Sequence, residues 1–224
     1  MAPIGTFWGD ARQRQTKVIL SVAALNGLEL QQPVFQFGVT NKSPEFLSKF
    51  PYGKIPVFED LEGWTLIEGS TIARYLSDLG NKSVLLGSNA KEAALIDQWV
   101  HFAEQEIGFP LSDALGLIYG FSGQFVRENL DKHVERLLRA LKYLESYLAT
   151  RPSVYLVTDS VSLADLVLAG VIHAAARVVL GAAERAEHPS IFAHYSKVTA
   201  DEKIKEYWGT EDFTEVAVTE PKTL

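Results

Sequence analysis

The spacing of apolar and polar side chains divides the chain into two parts of different character. In the first part, the apolar run Ile4 to Trp8 predicts a short strand, and apolar residues at helical spacing predict a helix over Arg12 to Leu25. Apolar and polar side chains then largely alternate from Leu28 to Phe37, which predicts a half-buried strand that Pro33 limits to an edge or a break. Together these elements predict a β-α-β unit.

A helix, two strands and a further helix complete the first part. Ser43-Pro44-Glu45 combines an N-cap residue, a first-turn proline and an acidic side chain, which predicts a short helix ending at Phe50. Two brief apolar runs, Ile55 to Phe58 and Thr65 to Ile67, are separated by a turn-forming segment and predict a hairpin. A helix over Ser70 to Leu79 then closes an α/β unit.

Beyond a polar, glycine-containing connector the pattern becomes helical. Apolar side chains recur at helical spacing over Ala90 to Ile107 and over Val126 to Leu148, and in each case two adjacent stripes make a wide buried face. Wide apolar faces of this kind predict an all-α helical bundle. We therefore expect a first domain at residues 1–80, a linker at 81–88 and a helical domain at 89–224.

Composition and charge exclude several classes of function. The 224 residues include 21 basic and 28 acidic side chains, a net charge of −7, which argues against nucleic acid as a partner. The absence of cysteine excludes a disulfide, a thiolate metal site and a protein thiol nucleophile, so any thiol chemistry must use a small molecule's sulfur. The five histidines show no metal-ligand spacing, and we expect no metal. Neither a secretory signal nor a membrane span is visible, so we expect a cytoplasmic protein that does not bind membranes.

Two short motifs in the first part suit a peptide-like ligand. In Lys54-Ile55-Pro56-Val57, a cis bond before the proline would leave the backbone amide and carbonyl of Ile55 free for a ligand; an ordinary edge-strand proline is the alternative. In Glu68-Gly69-Ser70-Thr71, a helix starts after a strand, and its free N–H groups suit a carboxylate while Glu68 suits an ammonium group. A plain helix cap by Ser70 is the alternative.

A third motif is structural. Ser162 and Asp165 have the spacing of a capping box at the start of the most apolar helix pattern in the chain. We therefore assign these two residues to the cap of a buried helix.

In this order and spacing, the three motifs resemble the glutathione transferase superfamily, and the resemblance extends from Gly5 to about Trp208. Within that superfamily the chain looks most like the transferase-type domain of the gamma subunit of the eukaryotic translation elongation complex. Some fungal stand-alone glutathione transferases share this character. The closer resemblance rests on three stretches: Thr40 to Leu47, Lys49 to Pro56 and Gln98 to Glu104.

The resemblance implies an α/β thioredoxin-like N-terminal domain that binds glutathione and an all-α C-terminal helical bundle that lines the pocket for a second substrate. It also implies glutathione as co-substrate or catalyst, no metal, and a homodimer. The glutathione-binding residues that it implies are Asn41, Lys42, Lys54, Ile55, Pro56, Glu68, Gly69 and Ser70. Gly69 departs from the family, which usually has a serine there, so the amide is kept and the hydroxyl is lost.

The group that activates the glutathione thiol is a larger departure. The family usually places a Tyr, Ser or Cys just after the first strand or at the first helix, but this chain has no hydroxyl between Thr6 and Thr16. A helix N-terminus and a cation can lower the pKa of a thiol, so Arg12 and Arg14 are candidate catalytic cations and Gln15 is a candidate neutral donor. Solvated charges are the alternative for both arginines.

The second substrate is expected between the two domains, where the family's fourth helix lines a cleft. The walls implied by this resemblance are Trp8, Phe37, His101, Phe102 and Gln105. Aromatic side chains at helical spacing are also typical of a core, which is the alternative here.

The favoured function is a glutathione transferase that adds the thiolate to an electrophilic small organic molecule, with a place in fungal secondary metabolism. One alternative is a glutathione-dependent cis-trans isomerase acting on a double bond of a conjugated carbonyl compound. Another is a non-catalytic scaffold domain of the elongation-complex type, which the missing hydroxyl and Gly69 favour. Because that subunit carries a long linker and a further domain, a chain ending at Leu224 favours the enzyme.

Overall fold

The computed structural model describes residues 2–80 and 85–222, so residues 81–84 of the expected linker lie outside the described residues. Within these ranges the strands are β1 (Gly5–Trp8), β2 (Val57–Asp60) and β3 (Thr65–Ile67). The helices are α1 (Arg14–Leu25), α2 (Pro44–Lys49), α3 (Gly69–Leu79), α4 (Ala90–Phe102), α5 (Phe109–Ile118), α6 (Arg127–Ala149), α7 (Leu163–Ala176), α8 (Ala182–Ala186), α9 (Pro189–Thr199) and α10 (Lys205–Trp208). A 3-10 turn (Thr40–Lys42) precedes α2, and a π-helical segment (Ala103–Gly108) joins α4 to α5.

The first part is built on a small antiparallel sheet in the order β1-β2-β3. Phe7 of β1 lies opposite Phe58 of β2, and Val57 of β2 lies opposite Ile67 of β3. Phe7 and Phe58 are both buried in the main hydrophobic core. This α/β unit, followed by helices, is the architecture that the sequence predicts.

The strand predicted from Leu28 to Phe37 does not form. Only Gln31 pairs with β1: its N–H donates to the carbonyl of Gly5 over 2.9 Å, and its carbonyl accepts from the N–H of Phe7 over 2.8 Å. Pro33 follows two residues later and has no N–H with which to extend the ladder. The alternation of side chains therefore predicts more pairing than the backbone can make.

The second part is helical, with one irregularity that the sequence pattern does not reveal. The helix predicted over Ala90 to Ile107 changes to π-helical geometry at Ala103–Gly108 and then continues as α5. A π-helical turn adds a residue to the helical repeat and often occurs near functional sites. α6 begins and ends within one residue of its predicted bounds, and 13 of the 14 residues of α7 are buried.

The start of α7 is held by a buried carboxylate. Oδ2 of Asp165 accepts from the N–H and the Oγ–H of Ser162, over 2.8 Å and 2.5 Å. Oδ1 of the same side chain accepts from the N–H of Leu156 over 2.8 Å and lies 2.9 Å from Nε2 of His194. The predicted cap therefore also ties α7 to the preceding loop and to α9.

One hydrophobic core runs through both parts. α1 packs against α3 on one side and against α7 on the other, and buried side chains of both parts belong to a single cluster. This packing brings the first turns of α1 and α3 beside α4. None of the helices within the described ranges has the length and apolar character needed to cross a bilayer.

Candidate functional site

A groove of about 580 Å³ opens beside the loop between α2 and β2. Its walls are the segment from Lys49 to Val57, the segment from Thr65 to Gly69, and Gln15 of α1. The bond between Ile55 and Pro56 is cis. Among the residues described, none makes a hydrogen bond to the backbone of Ile55, so its amide and carbonyl are available to a ligand in the groove.

The other wall of the groove is the turn that begins α3. Glu68 has φ 71° and is the only non-glycine residue with positive φ in the described part of the chain. Such a conformation costs about 1–3 kcal/mol and is typical of functional sites. The Glu68 side chain makes no capping hydrogen bond to α3, and none of the described residues pairs with the first N–H groups of the helix. This turn therefore offers free amides and an exposed carboxylate to the groove.

Gly69 packs closely against Gln15 of α1. A Cβ atom added to Gly69 would lie 2.8 Å from both Cβ and Cγ of Gln15, closer than carbon atoms approach in proteins. A serine at this position would therefore require Gln15 to move. The glycine at this position therefore fits the close approach of Gln15.

A second cleft, of about 330 Å³, lies between α3 and α4 and shares Gln15, Glu68 and Gly69 with the groove. The remaining residues that line it are Ser70, Thr71, Arg74, Asp97, Val100, His101, Glu104 and Leu163. Two polar contacts cross from α3 to the helical part. Ser70 Oγ donates to Glu104, and Arg74 forms an ion pair with Asp97. The groove and this cleft together form one continuous surface.

Arg14 lies behind the shared wall, at the first residue of α1. Its Nη1 is buried and has no partner among the described residues. Burial lowers the pKa of Arg14, and the nearby carboxylate of Glu104 opposes that change. A cavity of about 10 Å³ beside Arg14, Gln15 and Ser70 has room for about one water molecule. Arg14 therefore adds a positive charge close to the start of α1.

Arg12 has a different position from Arg14. Its side chain is 81% exposed, and its guanidinium pairs with Asp10 through Nε and Nη2, over 2.9 Å and 2.7 Å. The hydrogen bond from Arg12 lowers the pKa of Asp10. The structure does not bring Arg12 to the groove or to the cleft.

The two residues predicted near the glycyl end of glutathione also differ. Asn41 is buried, and its amide is used internally: Nδ2 donates to the carbonyl of Gly53 over 2.8 Å, and Oδ1 accepts from the N–H of Gly38 over 2.7 Å. Lys42 is exposed, and its ammonium group lies close to Gly53 at the edge of the groove. Asn41 therefore shapes the loop, whereas Lys42 can approach a ligand.

Two aromatic residues predicted for the second-substrate pocket are packing residues. Trp8 packs edge-on against Phe46 and Phe50, with ring centroids 6.1 Å and 5.5 Å away. Phe102 packs against Trp99 at 5.2 Å. Both rings fill hydrophobic clusters, as aromatic residues at helical spacing commonly do.

The other three predicted pocket residues are more exposed. Phe37 is 65% exposed on the loop before α2. Gln105 is exposed, and its backbone carbonyl accepts from Nη2 of Arg136 over 3.0 Å. Of the five residues, His101 is the one that lines the cleft.

Sequence reasoning missed three charged residues of the cleft, Arg74, Asp97 and Glu104, although their spacing carried a signal. Asp97, His101 and Glu104 are separated by four and three residues, so they share one face of a helix. Ser70 and Arg74 are four residues apart on α3. Nothing in the spacing shows that these two faces meet. The described residues contain no group of three or more acidic or histidine side chains placed to hold a metal ion.

Comparison with known proteins gives matches over most of the chain. Residues 5–78 match the model of the glutathione S-transferase N-terminal domain, and residues 124–211 match that of the C-terminal domain. The glutathione S-transferase-like protein FUS3 of Gibberella moniliformis is 36% identical over 96% of this chain and 97% of its own length. The glutathione S-transferase-like protein LUC7 of Fusarium sp is 36% identical over 96% of this chain and 98% of its own length. Human elongation factor 1-gamma is 40% identical over 60% of this chain and 29% of its own length.

Solved structures share the same fold. The GST-like domain of elongation factor 1-gamma from Saccharomyces cerevisiae superposes with a TM-score of 0.83 at 22% identity, over 99% of this chain and 100% of that domain. Glutathione transferase URE2P6 from Phanerochaete chrysosporium, in complex with oxidized glutathione, has a TM-score of 0.83 at 22% identity. The superposition covers 94% of this chain and 97% of that protein.

Proposed function

The chain belongs to the glutathione S-transferase family, and on that premise we propose that it binds glutathione in the groove and adds the thiolate to an electrophilic small organic molecule. The observation that carries the proposal is the groove itself, which holds both the unpaired backbone of Ile55 and the start of α3 at Glu68 and Gly69. An extended peptide can pair with the first of these, while a carboxylate and an ammonium group suit the second.

The cysteinyl backbone of glutathione pairs with Ile55 in this proposal, its γ-glutamyl end lies against the turn before α3, and its glycyl carboxylate lies towards the lysines. The residues that hold the ligand are Lys42, Lys54, Ile55, Pro56, Glu68, Gly69 and Ser70. We leave Asn41 out because both polar atoms of its side chain are already bonded to neighbouring backbone.

The positive end of α1 takes the place of the missing hydroxyl. Gln15, in the first turn of α1, lines the groove. α1 has no acidic residue in its first turn, and its N-cap residue makes no side-chain capping bond, so the helix end keeps its positive potential. That potential, together with the charge of Arg14, stabilises a thiolate and lowers the pKa of the bound thiol. Arg12 has no part in this arrangement.

Thiolate addition has two outcomes that differ in stoichiometry. A conjugating enzyme consumes one glutathione for each substrate molecule, whereas a double-bond isomerase adds the thiolate, allows the bond to rotate and releases glutathione again. Comparing loss of glutathione with loss of substrate separates the two. We propose conjugation, in fungal secondary metabolism, and the similarity to fungal glutathione S-transferase-like proteins supports this choice.

Calorimetric titration of the full chain with reduced glutathione, and with its S-methyl derivative, tests the proposal. We expect saturable binding of one glutathione per chain. Lys54→Met should weaken binding by about tenfold, or about 1.4 kcal/mol. Lys132→Met, on an exposed position of α6, is the matched control and should leave affinity unchanged.

The second candidate is a non-catalytic scaffold of the elongation-complex type. Similarity to elongation factor 1-gamma and the missing hydroxyl favour it. Absence of binding heat at several temperatures, on protein shown to be folded by circular dichroism, would refute the glutathione site and leave the scaffold as the better hypothesis.

The organisation of the protein is part of the proposal. We propose a glutathione-binding domain at residues 1–80, a linker at 81–88 and a helical domain at 89–224 that lines the second-substrate cleft. We further propose a cytoplasmic homodimer. Light scattering coupled to gel filtration should give twice the mass of one chain, and a monomeric mass would contradict the dimer.

A further inference from the structure

The π-helical segment that joins α4 to α5 contains a backbone carbonyl that its own helix does not serve. The N–H of Phe109 donates to the carbonyl of Glu104, five residues back, and Pro110 has no N–H to donate. The carbonyl of Gln105 therefore lacks the donor that it would have in an α-helix or in a π-helix. Nη2 of Arg136, on the neighbouring helix α6, donates to this carbonyl over 3.0 Å. Arg136 thus replaces a missing helical hydrogen bond.

Arg136 makes a second, weaker contact with the same segment. Its Nη2 lies 3.3 Å from Oε1 of Glu106, and the two side chains are 42% and 43% exposed. An exposed ion pair of this kind contributes little stability, whereas a charged donor strengthens a hydrogen bond to a carbonyl. The bond to the carbonyl of Gln105 is therefore the contact through which Arg136 acts on the segment.

The π-helical segment also reaches the wall that the groove and the cleft share. Glu104 accepts a hydrogen bond from Oγ of Ser70, at the start of α3. Gly108 lies directly against the guanidinium of Arg14, since a Cβ atom added to this glycine would meet Nη1 and lie 3.0 Å from Nη2. One turn of helix therefore positions a carboxylate beside the groove and also packs against the Arg14 cation.

Glu104 lies close to Arg14 without pairing with it. Both line the cavity of about 10 Å³, whose other described walls carry no ionisable group. Burial lowers the pKa of Arg14, and the charge of Glu104 opposes that change. Nη1 of Arg14 nevertheless has no hydrogen-bond partner among the described residues, because the carboxylate is bonded to Ser70 instead. An ion pair between the two side chains would cancel the positive charge that a thiolate site needs.

We propose that Arg136 is a positioning residue for the glutathione site. Its bond to the π-helical segment keeps Glu104 on Ser70 and away from Arg14. The Arg14 cation therefore stays unpaired beside the start of α1. The inference rests on the proposed stabilisation of a glutathione thiolate by Arg14, and it gives the outer side of α6 a part in the chemistry of the groove.

Arg136→Leu removes the bond at a position outside the groove and the cleft. Glu104 can then pair with Arg14, so the pKa of bound glutathione should rise. We expect the thiolate fraction at about pH 7 to fall about fivefold. Thiolate absorbance against pH, on the full chain saturated with glutathione, measures it. Arg136→Lys keeps a charged donor and should restore most of the thiolate. Arg139→Leu, at an exposed position three residues further along α6, is the matched control and should leave it unchanged.

Removing the carboxylate tests the route. Glu104→Gln keeps an acceptor for Ser70 but cannot neutralise Arg14. In this background Arg136→Leu should leave the bound thiol unchanged, because no carboxylate remains to pair with the cation. Ser70→Ala frees the carboxylate from its other support and should raise the pKa of the bound thiol as Arg136→Leu does. An effect of Arg136→Leu that is equal with and without the Glu104 carboxylate would overturn the proposed route.

A second measurement needs no glutathione. Urea unfolding of Arg14→Gln, of Glu104→Gln and of the double variant gives the coupling between the two side chains. This coupling should be larger in the Arg136→Leu background than in the parent, because the pair forms only when the segment is released. Circular dichroism verifies that each variant is folded.

The outcomes separate this inference from the proposed function. Equal coupling in the two backgrounds would overturn the role of Arg136 whether or not glutathione binds. Equal thiolate fractions in Arg136→Leu and Arg139→Leu, on protein that binds glutathione, would overturn it as well. Absence of binding heat together with a larger coupling in Arg136→Leu would overturn the proposed function and leave the positioning of Glu104 in place.

Discussion

His173, on the buried helix α7, should make the stability of the protein depend on pH. The side chain is 3% exposed, and its Nδ1 lies 2.8 Å from Oη of Tyr195. Burial, reinforced by the positive charges of Lys17 and Arg177, lowers the pKa of His173 from 6.5 to about 4. Between about pH 4 and pH 6.5, the folded protein therefore keeps the imidazole of His173 neutral, whereas the same side chain is protonated in the unfolded chain.

The sign and the size of the effect follow from proton linkage. Between pH 6.5 and about 4, the unfolded chain binds a proton at His173 that the folded chain does not. The contribution is fully present above pH 6.5 and is lost progressively as the pH falls to about 4. Each pKa unit is worth about 1.36 kcal/mol, so the whole interval corresponds to about 3 kcal/mol.

Urea unfolding of the parent and of His173→Asn at about pH 7.5 and about pH 4.5 measures this contribution. Asparagine does not titrate and keeps a polar partner for Tyr195. The variant should start less stable, but it should lose about 2.5 kcal/mol less than the parent over this interval. His101→Asn, at an exposed position, is the control and should follow the parent. Equal losses in parent and His173→Asn, within about 0.5 kcal/mol, would refute the reasoning.

Three further predictions concern the site and the cap of α7. Arg14→Gln should lower turnover about tenfold and raise the pKa of bound glutathione, followed by thiolate absorbance, whereas Arg12→Gln should change both less than twofold; equal effects would contradict the assignment. Gly69→Ser should weaken glutathione binding about tenfold in calorimetry because its Cβ meets Gln15 at 2.8 Å, and tighter binding would show that the contact relaxes freely. Asp165→Ala should destabilise the protein by about 3–5 kcal/mol in urea unfolding, since buried donors lose their acceptor, and a loss below about 1 kcal/mol would contradict this role.

Local signals in the sequence predicted most of the fold. Helix caps, apolar stripes and the hairpin are short-range features, and they located α2, α6 and the start of α7 closely. The prediction of a strand from Leu28 to Phe37 was wrong. The side chains alternate as in a strand, but Pro33 has no N–H with which to continue the hydrogen-bond ladder. The π-helical segment at Ala103–Gly108 was not predictable, because its apolar stripe has the spacing of an ordinary helix.

Some residues of the candidate site can likewise be predicted from local sequence signals, whereas others depend on packing between distant segments. Ile55 and Glu68, which both line the groove, could be proposed from the sequence because each is defined by its own turn and by the element that follows. The cleft depends on contacts between distant segments, and sequence spacing alone cannot show that Ser70 meets Glu104. Arg12 and Arg14 are only two residues apart, yet one turns back to Asp10 and the other enters the interior. Their different positions depend on the surrounding packing, which the sequence does not show.

The core shared through α1 makes the two parts one cooperative folding unit. Residues 1–80 alone would expose the face of α1 that α7 covers, so we expect that the groove does not form as a small separate module. Heating should give a single calorimetric transition. Substitutions of buried residues in α7 should then change the affinity of the groove for glutathione, although α7 does not line the groove. The helical half would act on the groove through its packing against α1.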